Sequence, residues 1–203
     1  MNFVFDTETS GLVNMREAPD HPSQPHLVQL ACMLLDDAGR QVQSASLIVK
    51  PEGWVIPKGA ADVHGITTEY ATTVGLPLRL VVATFTNMRA IASRKIAHNL
   101  KFDEIVMRAE LARLKQTPGH PGPTDAICTM ETATDLCAMP ATARMKAAGF
   151  DKFKPPKLQE LHMFLFKESF EGAHGALADC EACARCYYEL KRREVPMLGA
   201  GRT

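Results

Sequence analysis

The feature that most constrains this chain is a pair of carboxylates set where a small domain has no structural use for them. Asp6 and Glu8 follow the apolar run Asn2-Phe3-Val4-Phe5. In an extended strand, residues two apart leave by the same face, so both acids point the same way. Burial and mutual repulsion each disfavour ionising such a pair. Divalent cations remove the conflict. An all-oxygen ligand set suits Mg²⁺ or Mn²⁺ rather than zinc, and carboxylates shared between two such ions can clamp a phosphodiester for in-line attack. The spacing therefore predicts a first strand that ends at a site for divalent metal.

Taken alone, Asp6-Thr7-Glu8-Thr9-Ser10-Gly11 is better explained as a solvated turn, because Asp, Thr, Ser and Gly all favour turns. Two further segments weigh against that. Asp103 lies in AHNLKFDEIVMRAE, near the start of a helical pattern where the macrodipole favours an acid. His174 and Asp179 lie in GAHGALADCEA, with the histidine on a glycine-flanked lead-in to the last helical pattern.

In order along the chain, the segments read D-x-E followed by T-x-G-L, then H-N-x-x-F-D, then H-x-A-x-x-D. They resemble the three motifs of the DEDD superfamily of 3′→5′ exonucleases, in its histidine-containing branch. The segment VHGIT, Val63 to Thr67, is one such proteins often carry. Position 175 is Gly, whereas the other branch of the superfamily places a tyrosine there. The resemblance spans residues 2–193. It implies a ribonuclease-H-like α/β fold, with a mixed central sheet flanked by helices. It also implies two divalent cations, with Asp6 bridging both and Glu8 on the ion nearer the nucleophile. Asp103 would then hold the leaving-group ion, and Asp179 would complete the metal set. His174 takes the place of the general base, a task suited to an imidazole that titrates near neutrality. Thr7, Thr9, Leu12, His64, Asn99 and Phe102 are carried over as substrate-side residues. The backbone around Thr7 and Glu8 would meet the terminal 3′-hydroxyl, Leu12 the last bases, and His64 the terminal nucleotide. His98 and Asn99 are expected chiefly to orient the start of the helix.

Length and charge narrow the class. A chain of 203 residues with 46% hydrophobic content can bury one good core, and residues 1–195 read as a single domain followed by an unstructured tail at 196–203. No apolar stretch reaches 18 residues and the N-terminus lacks a signal-peptide pattern, so a soluble cytoplasmic protein is expected. Six cysteines are few for a disulfide scaffold of this length. Lys plus Arg and Asp plus Glu are both 23, and a zero net charge is unusual for a protein that grips long duplexes through phosphates. It suits an enzyme holding a few nucleotides at one 3′ end. The phosphate contacts are expected from Lys152, Lys154 and Lys157 in a basic connector.

Strands are expected at 2–6, 27–35, 42–49, 95–98 and 126–128, the second and third forming a hairpin about Asp36-Asp37-Ala38-Gly39. Helices are expected from Thr67 or Thr68, then at 78–93, 100–114, 129–138, 157–166 and 175–193. Residues 13–26, rich in Pro, Asp, Asn and Ser, read as an exposed loop. Across 100–114 the apolar residues recur at helical spacing, with Arg108, Glu110 and Arg113 on the opposite, polar side. Cys180, Cys183 and Cys186 read as core-facing residues of the last helix rather than as a metal or cluster site, which would need a fourth ligand. Gln159 to Phe166 reads as an amphipathic helix rather than a clamp-binding peptide. Trp54, Tyr70 and Phe153 are aromatic rings more easily explained by local packing than by base stacking.

The reaction expected is metal-dependent hydrolysis from nucleic-acid 3′ ends, single-stranded DNA favoured, releasing nucleoside 5′-monophosphates. RNA trimming by the same chemistry is the alternative, since no residue visibly reads the 2′-hydroxyl. An accessory subunit binding a polymerase lacks support because no long docking tail follows the last helix. A catalytically dead binding module is disfavoured because all five site residues are present.

Overall fold

The computed structural model describes residues 1–116, 123, 125–172 and 175–199. The elements run β1 (Asn2–Thr9), β2 (Leu27–Leu35), β3 (Gln41–Ile48), α1 (Lys58–His64), α2 (Thr68–Val74), α3 (Leu78–Ala90) and β4 (Arg94–Ala97). There follow α4 (Leu100–Arg113), β5 (Asp125–Cys128), α5 (Thr129–Cys137), α6 (Ala143–Ala147), α7 (Leu158–Phe166) and α8 (Ala176–Arg192). The five strands form one sheet in the order β3-β2-β1-β4-β5. β1, β2 and β3 pair antiparallel, whereas β4 and β5 run parallel to β1, so the sheet is mixed, with helices on both faces.

Alternation along β1 sorts the two cores. Val4 faces α7 and α8 and joins Ala31, Met33, Leu161, Leu165, Cys180, Cys183 and Tyr187. Phe3 and Phe5 face the other way, towards α3 and α4, with Leu30, Val81, Phe85, Val106 and Met107. The rings of Phe3, Phe5 and Phe85 meet at 5.2–5.4 Å between centroids. Truncating any one of the three is expected to cost about 3–5 kcal/mol. α8 lies along β1 with Cys180, Cys183 and Cys186 all buried as free thiols, and burial pushes their pKa values up. Leu158, Leu161 and Leu165 form the buried face of α7, with Phe166 packed beside them.

Three expectations need correction. Glu110 does not lie on a solvated face: it is 1% exposed, and its Oε1 accepts from the Leu27 amide (2.7 Å) and Arg113 Nη1 (2.7 Å). The second face of α4 is covered by the end of the long loop, which a helical repeat cannot show. Nor is residues 13–26 simply an exposed loop. Gln24 is buried at its centre, its Oε1 accepting from the Asn14 amide (3.0 Å) while Nε2 donates to the carbonyls of Asn14 (3.0 Å) and Ala18 (3.1 Å). Arg113 then fastens the loop's end through the carbonyls of Pro25 (3.0 Å) and Gln24. Lastly, residues 196–199 of the expected tail are tied down. The Cys128 amide donates to Leu198 O (2.9 Å), and the Leu198 amide donates to Thr132 Oγ1 (2.9 Å). Residues 200–203 lie outside the described residues.

Candidate active site

β1 delivers Asp6 and Glu8 to the face covered by α8, on the same side as Val4. Beside Glu8 the pairing with β2 slips, Glu8 opposing Gln29 but Thr9 opposing Leu27. Such a bulge twists the strand end and re-aims its side chains. On its other edge β1 pairs with β4 only through Asn2, Phe3 and Val4, which leaves the backbone edge open from Phe5 onward. α4 enters that gap. Its N-cap, Asn99, takes a left-handed φ of 67°, and Asp103 sits in the first turn. Asp103 Oδ1 accepts from both the Thr7 amide (3.0 Å) and Thr7 Oγ1 (2.7 Å), replacing the strand partner that β4 does not provide.

α8 supplies Asp179 in its first turn, after Gly175 at the N-cap. One ligand oxygen each from Asp6, Glu8 and Asp179 lies within 4.8 Å of the others. The electrostatics match this crowding. Burial, then the charges of Asp103, Asp179 and Glu8, hold the Asp6 carboxyl well above its usual range. Burial followed by Asp179 and Asp103 pushes Glu8 up to about 8. Burial raises Asp103 to about 7 even though the two Thr7 hydrogen bonds favour its charged form. Clustered, desolvated carboxylates whose ionisation is suppressed by one another form the donor set that a hard divalent cation satisfies. The residues present thus fit the divalent metal that the motif resemblance implies, with Asp6, Glu8 and Asp179 converging and Asp103 close enough to act on Asp6.

The remaining sequence candidates fall around this cluster. Thr7 is buried and turned to Asp103, so its amide and hydroxyl are already engaged. Thr9 Oγ1 donates to Gly11 O (2.6 Å), and Leu12 stands 90% exposed just beyond. His64 closes α1; its Nδ1 accepts from the Ile66 amide (3.1 Å). Burial lowers its pKa, and the adjacent Thr9 backbone opposes the shift, which places this ring beside the end of β1. The Asn99 carbonyl accepts from the Phe102 amide (2.9 Å), while Phe102 packs partly on the core. His174, the expected general base, lies outside the described residues.

His98 is more than a helix-orienting residue. Its Nδ1 meets Thr129 Oγ1 and its Nε2 meets the Pro156 carbonyl, both at 3.0 Å, and burial lowers its pKa to about 4, so it is neutral. It thereby fastens the basic connector beside the start of α4. Trp54 stacks on His26, ring centroids 4.5 Å apart and planes 4° from parallel, which accounts for it as packing. Phe153 and Tyr70, the other two rings, are 45% and 53% exposed. Gln24, Glu110 and Arg113 were not singled out by the sequence. Only the i, i+3 spacing of the last two offered a hint.

The sequence matches the exonuclease family over residues 3–187. No curated protein matches it. Among solved structures, exonuclease I of E. coli in complex with a dT13 oligonucleotide superposes with a TM-score of 0.75 at 19% identity, covering 95% of this chain and 41% of that one. Exonuclease I from Methylocaldum szegediense superposes with a TM-score of 0.73 at 19% identity, covering 95% and 40%. The chain thus spans about two fifths of the length of those solved chains, and at such identity the likeness shows the fold. With the family match extending over most of the sequence, the chain belongs to the exonuclease family, within the DEDD superfamily of 3′→5′ exonucleases.

Proposed function

We propose that this protein removes nucleotides one at a time from the 3′ end of single-stranded DNA, releasing nucleoside 5′-monophosphates. The observation that carries the reading is the convergence of Asp6, Glu8 and Asp179 within 4.8 Å, with Asp103 locked beside them by Thr7. These four carboxylates would hold two divalent cations, Mg²⁺ or Mn²⁺. Bound there, such ions supply charge neutralisation at the scissile phosphate and make water easier to deprotonate.

His174 accepts a proton from the attacking water as the water oxygen bonds to phosphorus. The bond from phosphorus to the 3′ oxygen of the preceding nucleotide breaks, and that oxygen takes a proton from solvent to leave as the new 3′-hydroxyl, while His174 returns its proton to solvent. Leu12, exposed beyond β1, offers an apolar surface to the last bases, and His64 borders the terminal nucleotide. The preference for DNA draws support from the structural relatives solved with DNA oligonucleotides.

A gel time course on end-labelled single-stranded DNA, duplex DNA and RNA, with Mg²⁺ or Mn²⁺, tests the proposal. Single-nucleotide laddering from the 3′ end of the single-stranded DNA is expected, and none with Asp6→Asn. Activity that persists in excess EDTA, or in Asp6→Asn, would overturn the reading. Faster laddering of RNA would move the substrate to RNA and keep the chemistry.

A further inference from the structure

We infer that the excursion between α5 and α7 is a stacking and phosphate-binding platform for the single strand upstream of the scissile end. This rests on the exonuclease reading for its placement but not for its chemistry. Residues 141–157 carry five basic residues against one acidic residue, Asp151, in a chain whose formal net charge is zero. The protein has thus concentrated positive charge on this segment. Lys154 is spent internally, paired with Glu160. Arg144, Lys146, Lys152 and Lys157 remain exposed.

Among these cations stand two rings outside the buried hydrophobic clusters, Phe150 at 64% and Phe153 at 45% exposure. A single exposed aromatic is unremarkable. Two of them three residues apart, flanked by free cations, give the alternation of π-face and positive charge that unpaired bases and their phosphates fit. Duplex DNA would present phosphates to the cations but no open base face to the rings. An acidic protein would use the charges, yet it gains little from flat aromatic surfaces.

Position makes the platform useful. The Lys154 amide donates to Met139 O (2.9 Å), closing the excursion at its base. Two residues on, the Pro156 carbonyl is held by His98 Nε2 at 3.0 Å, immediately before the helix that carries Asp103. The platform is therefore fastened to the start of the helix that supplies Asp103 to the carboxylate cluster.

The test is fluorescence anisotropy with a labelled single-stranded oligo-dT 20-mer and a blunt duplex of the same length, in EDTA so that nothing is cut. Phe150→Ala with Phe153→Ala is expected to weaken the single strand about tenfold or more and to leave duplex affinity within twofold. Lys146→Glu with Lys152→Glu is expected to flatten the slope of log affinity against log salt by roughly 1.4, at ~0.7 per lost phosphate contact. Both pairs are exposed, and circular dichroism checks that the variants keep the fold. Unchanged single-strand affinity in both pairs would overturn the inference. So would equal weakening of single strand and duplex, or loss of binding to vesicles of anionic lipid with oligonucleotide binding intact. An unaltered protein that binds the strand through these residues but never cuts it, with Mg²⁺ or Mn²⁺ supplied, would sink the exonuclease reading and leave the platform standing. Cleavage with affinity untouched by all four substitutions would do the reverse.

Discussion

Thr7 and Asp103 lie 96 residues apart, yet one oxygen of the carboxylate receives both the amide and the hydroxyl of the threonine, at 3.0 and 2.7 Å. The pair joins the helix α4 to the open edge of β1 at the point where the acid must be held still. Thr7→Val keeps the shape and the amide bond but removes the hydroxyl. A charge-assisted hydrogen bond is worth roughly 1.5–3 kcal/mol, so a measurable loss of thermal stability is expected. Loosening a residue behind a metal ligand typically costs 10–100-fold in metal affinity or activity, and Mn²⁺ titration calorimetry should show it. Affinity equal to that of the unaltered protein would remove Thr7 from the site's support.

The crowded carboxylates give the metal-free protein an inverted pH profile. Asp6, Glu8 and Asp103 all have folded pKa values above their ordinary ones, Glu8 at about 8 and Asp103 at about 7. Between pH ~4 and 8 the unfolded chain has released protons that the folded protein still holds, so stability falls as pH rises through this window. In EDTA the melting temperature should therefore drop from pH 5 to pH 8, and Mg²⁺ or Mn²⁺ should offset the drop. Asp6→Asn should raise the metal-free melting temperature at pH 8, by about 3–6 °C for one to two kcal/mol. A flat profile in the unaltered protein would contradict the electrostatic account.

Arg113 neutralises a carboxylate that cannot reach water. Arg113→Met leaves the buried Glu110 carboxylate with the Leu27 amide but no cation beside it, a change worth about 3–5 kcal/mol, and also frees the end of the 13–26 loop. Urea denaturation should record a large drop in stability. Adding Glu110→Gln should recover part of it, because the stranded charge is then gone. No recovery in the double variant would show that the loop contacts, not the charge, dominate.

His174→Ala should keep the fold and the affinity for Mn²⁺ while slowing turnover by roughly 10²–10⁴, the usual worth of a positioned base. The acidic limb of the pH–rate profile should fade with it. Calorimetry that finds a metal ion lost would reassign this histidine as a ligand.

How much of this was legible beforehand depends on the reach of each signal. The pairing of Asp6 with Glu8 is a period-two pattern within one strand, and the hairpin, the cysteine face of α8 and the buried face of α7 are equally local. Where an element was expected, its ends fell within about three residues, but the short helices α1 and α6 were not expected. Glu110 was assigned to the wrong side because a helical repeat records one apolar face, while α4 is covered on two. Gln24 gave no signal: a buried glutamine in a polar loop differs from a solvated one only by what folds around it. Likewise Lys154 looked like a free phosphate ligand until its partner Glu160, across the proline pair, came into place.

The hydrogen bond between Lys154 and Met139 gives the protein a property of a different order. Because the excursion leaves and returns through a single closed base, its span can be lengthened, shortened or exchanged with little effect on the sheet, since loop closure varies only slowly with length and exposed loops tolerate insertion. The surface that this excursion presents can then change by trading one loop, while the carboxylates stay where β1, α4 and α8 put them.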